Sequence, residues 1–121
     1  MNKQFLIAGY YPKIDNQQIS EILEMFSLDA IYERADITYR GIDEISDFFI
    51  NKRQIRGEHI LDRVVLCEEH RIVIVTGNFV GTGAEGDSRK VDFVDIWQFN
   101  ESNKVNKRKT YLALGYEYVE R

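Results

Sequence analysis

Apolar positions in the first half of the chain recur with a helical period. Ile19, Ile22, Leu23 and Phe26 stand at i, i+3, i+4 and i+7, and Asp15 with Gln18 three residues on has the form of a capping box ahead of them. This pattern predicts an amphipathic helix with a capped start. Upstream, Phe5 to Tyr11 predicts a first helix ending near Pro12, because an internal proline removes a backbone donor and crowds the preceding turn. Downstream, Gly41 opens a third helix whose Ile42, Ile45, Phe48 and Phe49 share one face. Between the second and third, Ala30 to Asp36 is short, alternating and β-prone.

The second half changes to period two. His59 to Glu68, Arg71 to Gly81, Lys90 to Phe99 and Val105 to Tyr118 are β-branched and aromatic runs, parted by short polar or glycine-rich breaks. Four long strands in succession predict an antiparallel meander. Three helices covering one face of such a sheet define an α+β domain, and a sheet bent over helices leaves a cavity. With no repeat or linker, residues 1–121 read as a single domain.

Composition narrows the classes. Sixteen Lys and Arg against 20 Asp and Glu give a net charge of −4, which argues against a nucleic-acid partner, since phosphate binding calls for a basic face. Cys67 is the only cysteine, so no intramolecular disulfide or cysteine-based metal site is available, and a cytoplasmic setting is the expectation. The apolar run Phe5 to Ala8 is too short for a secretory segment, and nothing approaches the roughly 18 apolar residues of a membrane span. Two histidines without clustered carboxylates at ligand spacing predict no metal, and no cofactor is expected.

Candidate chemistry centres on Val91-Asp92-Phe93-Val94-Asp95-Ile96-Trp97-Gln98-Phe99. Strand alternation puts Val91, Phe93, Asp95, Trp97 and Phe99 on one face, leaving Asp95 as the only charge among four large apolar neighbours. A buried carboxylate is costly unless paired or put to use. Asp95 is therefore a proton-transferring group in the pocket, the partner of an arginine, or a residue turned outward by a bulge that swaps the strand faces.

These residues also carry a resemblance. Tyr10, Ile14-Asp15, Ile19, Met25-Phe26, Asp29-Ala30, Glu33 and Tyr39-Arg40-Gly41 with the following helix, then Gly77 to Gly81, Phe93 to Phe99, and Lys104-Val105 running into Thr110-Tyr111-Leu112, resemble the SnoaL-like and ketosteroid-isomerase-like families of the nuclear-transport-factor-2-like superfamily. The resemblance implies a cone-shaped α+β barrel, in which three N-terminal helices pack on a strongly curved, mostly antiparallel sheet around a deep pocket. It also implies a homodimer through the outer sheet face. Tyr10 falls where such isomerases keep the tyrosine that donates to a developing oxyanion, and Asp95 where they keep the aspartic acid beside it. Arg34 takes the place of the proton-moving aspartate, and an arginine cannot serve as that base. Phe26 and the Phe48-Phe49 pair replace supporting tyrosines.

Arg34 either pairs with Asp95 across the pocket or holds a ligand carboxylate, phenolate or enolate while Asp95 acts as general acid/base. Asp36, of the same parity as Arg34, could be a substitute base but reads more simply as a solvated loop carboxylate. His59 shares parity with Leu61 and Val65 and could reach the pocket mouth, although a structural histidine with local partners is the simpler reading. His70 lies in a hairpin turn. Gly81 to Gly86 lacks the lysine and following helix of a phosphate loop, and Lys104, Lys107, Arg108 and Lys109 read as a solvated basic strand end. Ile72 to Val75, apolar on both faces, fit a covered outer face.

The expectation is a small cofactor-independent enzyme acting on an apolar, carbonyl-bearing or cyclic ligand. Asp95 would serve as acid/base, Tyr10 and Arg34 as anion donors, and Tyr32, Phe26, Phe48, His59, Phe93, Trp97 and Leu112 as pocket lining. The alternative is a non-catalytic ligand-binding or dimerisation module of the same fold.

Overall fold

The structure is a computed structural model and describes residues 2–113. Helix α1 spans Lys3–Asp15, α2 Ile19–Leu23 and α3 Gly41–Asp47, the last continuing into a π-helical turn over Phe48–Lys52. Six strands follow the order β1 Phe26–Arg34, β2 Ile37–Arg40, β3 Arg56–Cys67, β4 Ile72–Thr82, β5 Ser88–Phe99 and β6 Val105–Ala113. They form one sheet in the order β2-β1-β6-β5-β4-β3. The run from β3 to β6 is the expected antiparallel meander, while β1 lies parallel to β6. The last part of the expected Val105 to Tyr118 strand lies outside the described residues. The sheet is open rather than closed into a barrel, with β2 and β3 at its edges.

Helix α1 starts at Asn2, whose side chain accepts the Phe5 amide at 2.9 Å. Its buried residues Ile7, Tyr10, Tyr11 and Ile14 follow i, i+3, i+4 and i+7, the stripe that a helix lays on a sheet. Pro12 does not end it. The ring falls in the last turn, where only the Ala8 carbonyl loses a donor, and the helix closes with Asn16 donating to the Pro12 carbonyl at 3.0 Å.

Two expectations are corrected in the next segment. Asp15 ends α1 instead of capping α2, which starts after Gln18 with no side-chain cap. Phe26 opens β1 and is not a helical residue, because the Met25 carbonyl accepts the Val105 amide at 2.8 Å and commits the chain to the sheet. Strand β2 has no counterpart in the sequence reading. It forms because Ala35-Asp36 turn the chain back, with Ala35 at φ 51° and Arg34 facing Ile37.

The core lies between the helices and the inner sheet face. Ile7, Ile14, Ile22, Ile45, Phe48 and Phe49 meet Val73, Val75, Trp97 and Phe99, all buried. The π-helical turn sets Phe48 and Phe49 together with ring centres 5.1 Å apart, and both rings pack on Tyr32. No helix among the described residues is long and apolar enough to cross a membrane.

Candidate functional site

Three neighbouring strands aim alternate side chains at one place. In register, Trp97 faces Arg108, Asp95 faces Thr110 and Phe93 faces Leu112 across β5 and β6, while Tyr32 faces Arg108 and Arg34 faces Thr110 across β1 and β6. With α1 above and the π-helical turn at the side, these residues border a cavity of about 110 Å³. Its wall includes Tyr10, Tyr32, Arg34, Phe48, His59 and Phe93, with Asp95 and Leu112 from the expected set as well. Phe26 and Trp97 do not line it. Phe26 packs on Phe49 and Trp97 in the core, and Trp97 lies behind the wall, donating from Nε1 to Tyr11 Oη at 3.1 Å.

Asp95 is 1% exposed, as its strand position predicts, and its charge is answered by Arg108. Arg108 Nη2 donates to Asp95 Oδ2 at 3.0 Å and Nε to Oδ1 at 3.3 Å, a two-point fork. Tyr11 Oη donates to Oδ2 at 2.6 Å, and the Thr110 hydroxyl donates to Oδ1. The guanidinium of Arg108 lies 4.6, 4.5 and 4.3 Å from the ring centres of Tyr10, Tyr32 and Trp97. Burial works against its charge, but Asp95 and the surrounding tyrosines outweigh burial and raise the pKa of Arg108. Burial, followed by the Asp95 charge, also raises the pKa of Tyr11.

Two sequence readings change here. Arg108 is 3% exposed and is no part of a solvated basic strand end. Lys107 and Lys109 do point outward, where both pair with Glu33, at 3.2 and 3.5 Å. The partner of Asp95 is Arg108 and not Arg34, whose Nη1 donates to Tyr32 Oη at 3.2 Å. The signal was present: Arg108 has the parity of Thr110 and Leu112, the strand face already assigned to the cavity. Tyr11, next to the singled-out Tyr10, was likewise passed over.

Tyr10 is buried and accepts from Arg108 Nη1 at 2.7 Å, and its own hydroxyl proton has no acceptor among the described residues. Burial raises its pKa to about 12 against the opposing charge of Arg108, so the phenol stays a donor at neutral pH. Tyr10 therefore carries a free proton into the cavity wall.

His59 is held by the residue expected to cap α2. Asp15 Oδ1 meets His59 Nδ1 at 2.6 Å, and Asp15 Oδ2 accepts the His59 amide at 2.9 Å. The ring packs among Tyr11, Phe79 and Phe93. Burial pushes its pKa below the usual 6.5, although Asp15 pulls the other way, so the neutral ring prevails at pH 7. Facing a carboxylate oxygen, Nδ1 is the nitrogen that carries the proton, and Nε2 is the ring nitrogen with no partner among the described residues. Asp36 is exposed in the β1–β2 turn and does not reach the cavity. Arg53 also lines it, from a stretch after α3 with no periodic pattern to announce it.

No family model matches this chain, and no curated protein matches it. Solved structures do. One similar structure is a nuclear-transport-factor-2-like protein of unknown function from Burkholderia pseudomallei, at 17% identity over 93% of this chain and 92% of that one, with a TM-score of 0.80. Another, from Shewanella denitrificans, is assigned to the SnoaL-like polyketide cyclases, at 15% identity, 91% and 89% coverage and a TM-score of 0.76. A third is SalBIII, an epoxide hydrolase/cyclase-like enzyme in pyran ring formation of the polyether salinomycin, at 16% identity, 89% and 88% coverage and a TM-score of 0.76. The chain thus has the fold shared by nuclear-transport-factor-2-like, SnoaL-like and ketosteroid-isomerase-like proteins.

Proposed function

We propose that this chain is a small cofactor-independent enzyme that moves a proton on an apolar, carbonyl-bearing or cyclic molecule bound in the cavity. One observation carries the reading: an oriented, neutral imidazole and an unspent phenolic proton border the same cavity. A base and a hydrogen-bond donor facing one ligand are what proton abstraction beside a carbonyl requires. His59 takes the proton through Nε2 while Asp15 fixes the tautomer and steadies the imidazolium that forms. Tyr10 donates to the carbonyl oxygen as negative charge gathers there, and Arg108, bonded to Tyr10 Oη, strengthens that donor. Asp95 neutralises Arg108 and fixes its fork, which makes it a positioning residue in this scheme; the proton transfer foreseen for it in the sequence falls to His59. The enzymatic reading draws on the SnoaL-like and cyclase-like structural relatives, and the residue roles rest on this chain's own geometry.

Deuterium exchange at carbons next to the carbonyl of small cyclic ketones and lactones, followed by NMR, tests it. The chain should accelerate exchange, and His59→Gln should lower the rate by about 10²-fold or more, the usual worth of a general base. A His59→Gln variant exchanging at the full rate overturns the assignment. A second reading, a non-catalytic binding module, is favoured by Asp95, whose oxygens are all engaged by Tyr11, Arg108 and Thr110. It predicts ligand binding with no exchange above the buffer rate.

A further inference from the structure

The charge of the cavity runs against the charge of the chain. The whole sequence carries −4, yet Arg34, Arg53, Arg89 and Arg108 all line the cavity, and Asp95 is its only carboxylate among the described residues. Two of the four guanidiniums are neutralised. Arg108 is paired with Asp95, and Arg89 with Asp87 at 2.5 Å. Arg34 and Arg53 have no carboxylate within 4.0 Å among the described residues.

Neutral groups hold both in place. Arg34 donates to Tyr32 Oη, and its guanidinium lies 5.5 Å from the ring centre of Phe48. Arg53 Nη1 donates to the Ile55 carbonyl at 3.3 Å. A guanidinium has five N–H donors, so most of theirs are unspent. Both residues are half-buried, where an uncompensated charge is costly. Burial, together with the nearby charges of Arg34 and Arg108, pushes the pKa of Arg53 down, a repulsion that an anion between them would relieve.

We propose that the cavity takes a small carboxylate with an apolar body, its carboxylate held by Arg34 and Arg53 and its body lying against Phe79, Phe93 and Leu112. Two planar forks match one planar monoanion at two points each. The volume of about 110 Å³ limits the enclosed body to about a single ring, since an apolar cavity of about 150 Å³ accommodates benzene. The proposal rests on the cavity being a substrate site and names the class of substrate. A carboxylate anchored by the two arginines would leave the rest of the molecule to Tyr10 and His59.

Calorimetric titration of the full chain with benzoate, benzamide and phenyl phosphate at low salt tests it. Benzoate should bind about tenfold or more tighter than its neutral isostere benzamide, and Arg53→Gln and Arg34→Gln should each shrink that preference toward about twofold without lowering the melting temperature. Arg53→Lys, which keeps the charge but not the fork, should retain part of the preference and serves where a glutamine variant fails to fold. Equal affinity for benzoate and benzamide, no benzoate binding, or a preference untouched by all three variants overturns the proposal. Phenyl phosphate bound tighter than benzoate overturns the carboxylate in favour of a phosphate. Turnover plays no part, so charge-selective binding without proton exchange would leave this inference standing while the enzymatic reading fell.

Discussion

Arg108 shows how much one side chain can decide. It joins a carboxylate, a phenol and three aromatic faces while itself buried. Arg108→Met would leave Asp95 charged and buried without a cation, and losing one partner of a buried pair costs about 3–5 kcal/mol. Guanidinium denaturation should show that loss as a lower midpoint, and a loss below about 1 kcal/mol, the worth of a surface pair, would contradict the buried geometry. His59 gives a pH signature. Its folded pKa lies below 6.5, so above pH 6.5 neither state holds the proton and stability is at its full value. Below 6.5 the unfolded chain takes up a proton that the folded ring resists, and stability falls with pH until the folded pKa is passed. His59→Gln should remove this slope from denaturation midpoints measured between pH 7 and 5. At this scale the legible residues were those whose strand parity conflicted with their charge: Asp95 stood out among Phe93 and Trp97. Arg108 did not, because flanking lysines at Lys107 and Lys109 gave its strand the look of a solvated edge.

At the scale of elements, periodicity located three of the long strands within a few residues and the start of the fourth at Val105, since alternation over nine or more positions leaves little choice of face. It failed where tertiary contacts overrode local pattern. Phe26 fits a helical stripe, but the bond between Met25 and Val105 takes it into the sheet, and β2 is too short to signal itself. Gly77, on the inner face of β4, is an element-level requirement. A Cβ there would overlap the Ile60 carbonyl oxygen and lie 3.1 Å from Leu61 Cα, beside the register shift between Leu61 and Arg63. The missing side chain lets β3 lie closely against β4 at this register shift. Gly77→Ala should therefore destabilise by about 1–3 kcal/mol, the usual cost of overpacking, in thermal or chemical unfolding. An unchanged midpoint would mean that β3 can move away freely.

For the whole molecule, the outer sheet face remains to be accounted for. Val65, Ile74 and Ile96 form one cross-strand row, and Val94 and Tyr111 are paired in the next; Val65 and Tyr111 are about half exposed. We propose that a second copy of this chain covers the patch, as the sequence resemblance implied, because an apolar sheet face matches itself across a two-fold axis. Sedimentation should show a dimer for the native chain and a monomer for Ile74→Glu; a native chain that sediments as a monomer at high concentration would refute it.

The remote contacts that α1 and β1 make with β5 and β6 have a consequence in time. Arg108 meets Tyr10 across 98 residues, Tyr11 meets Asp95 across 84, and Tyr32 meets Thr110 across 78. Contacts this remote close slowly, since the loop entropy is spent before any of them forms. During synthesis Asp95 emerges 13 residues ahead of the arginine that neutralises it, and Tyr32 on β1 waits for a partner on β6 that lies 78 residues on. The cavity wall joins residues of α1, β1, β5 and β6, so a ligand bound there would report that these remote elements have already met.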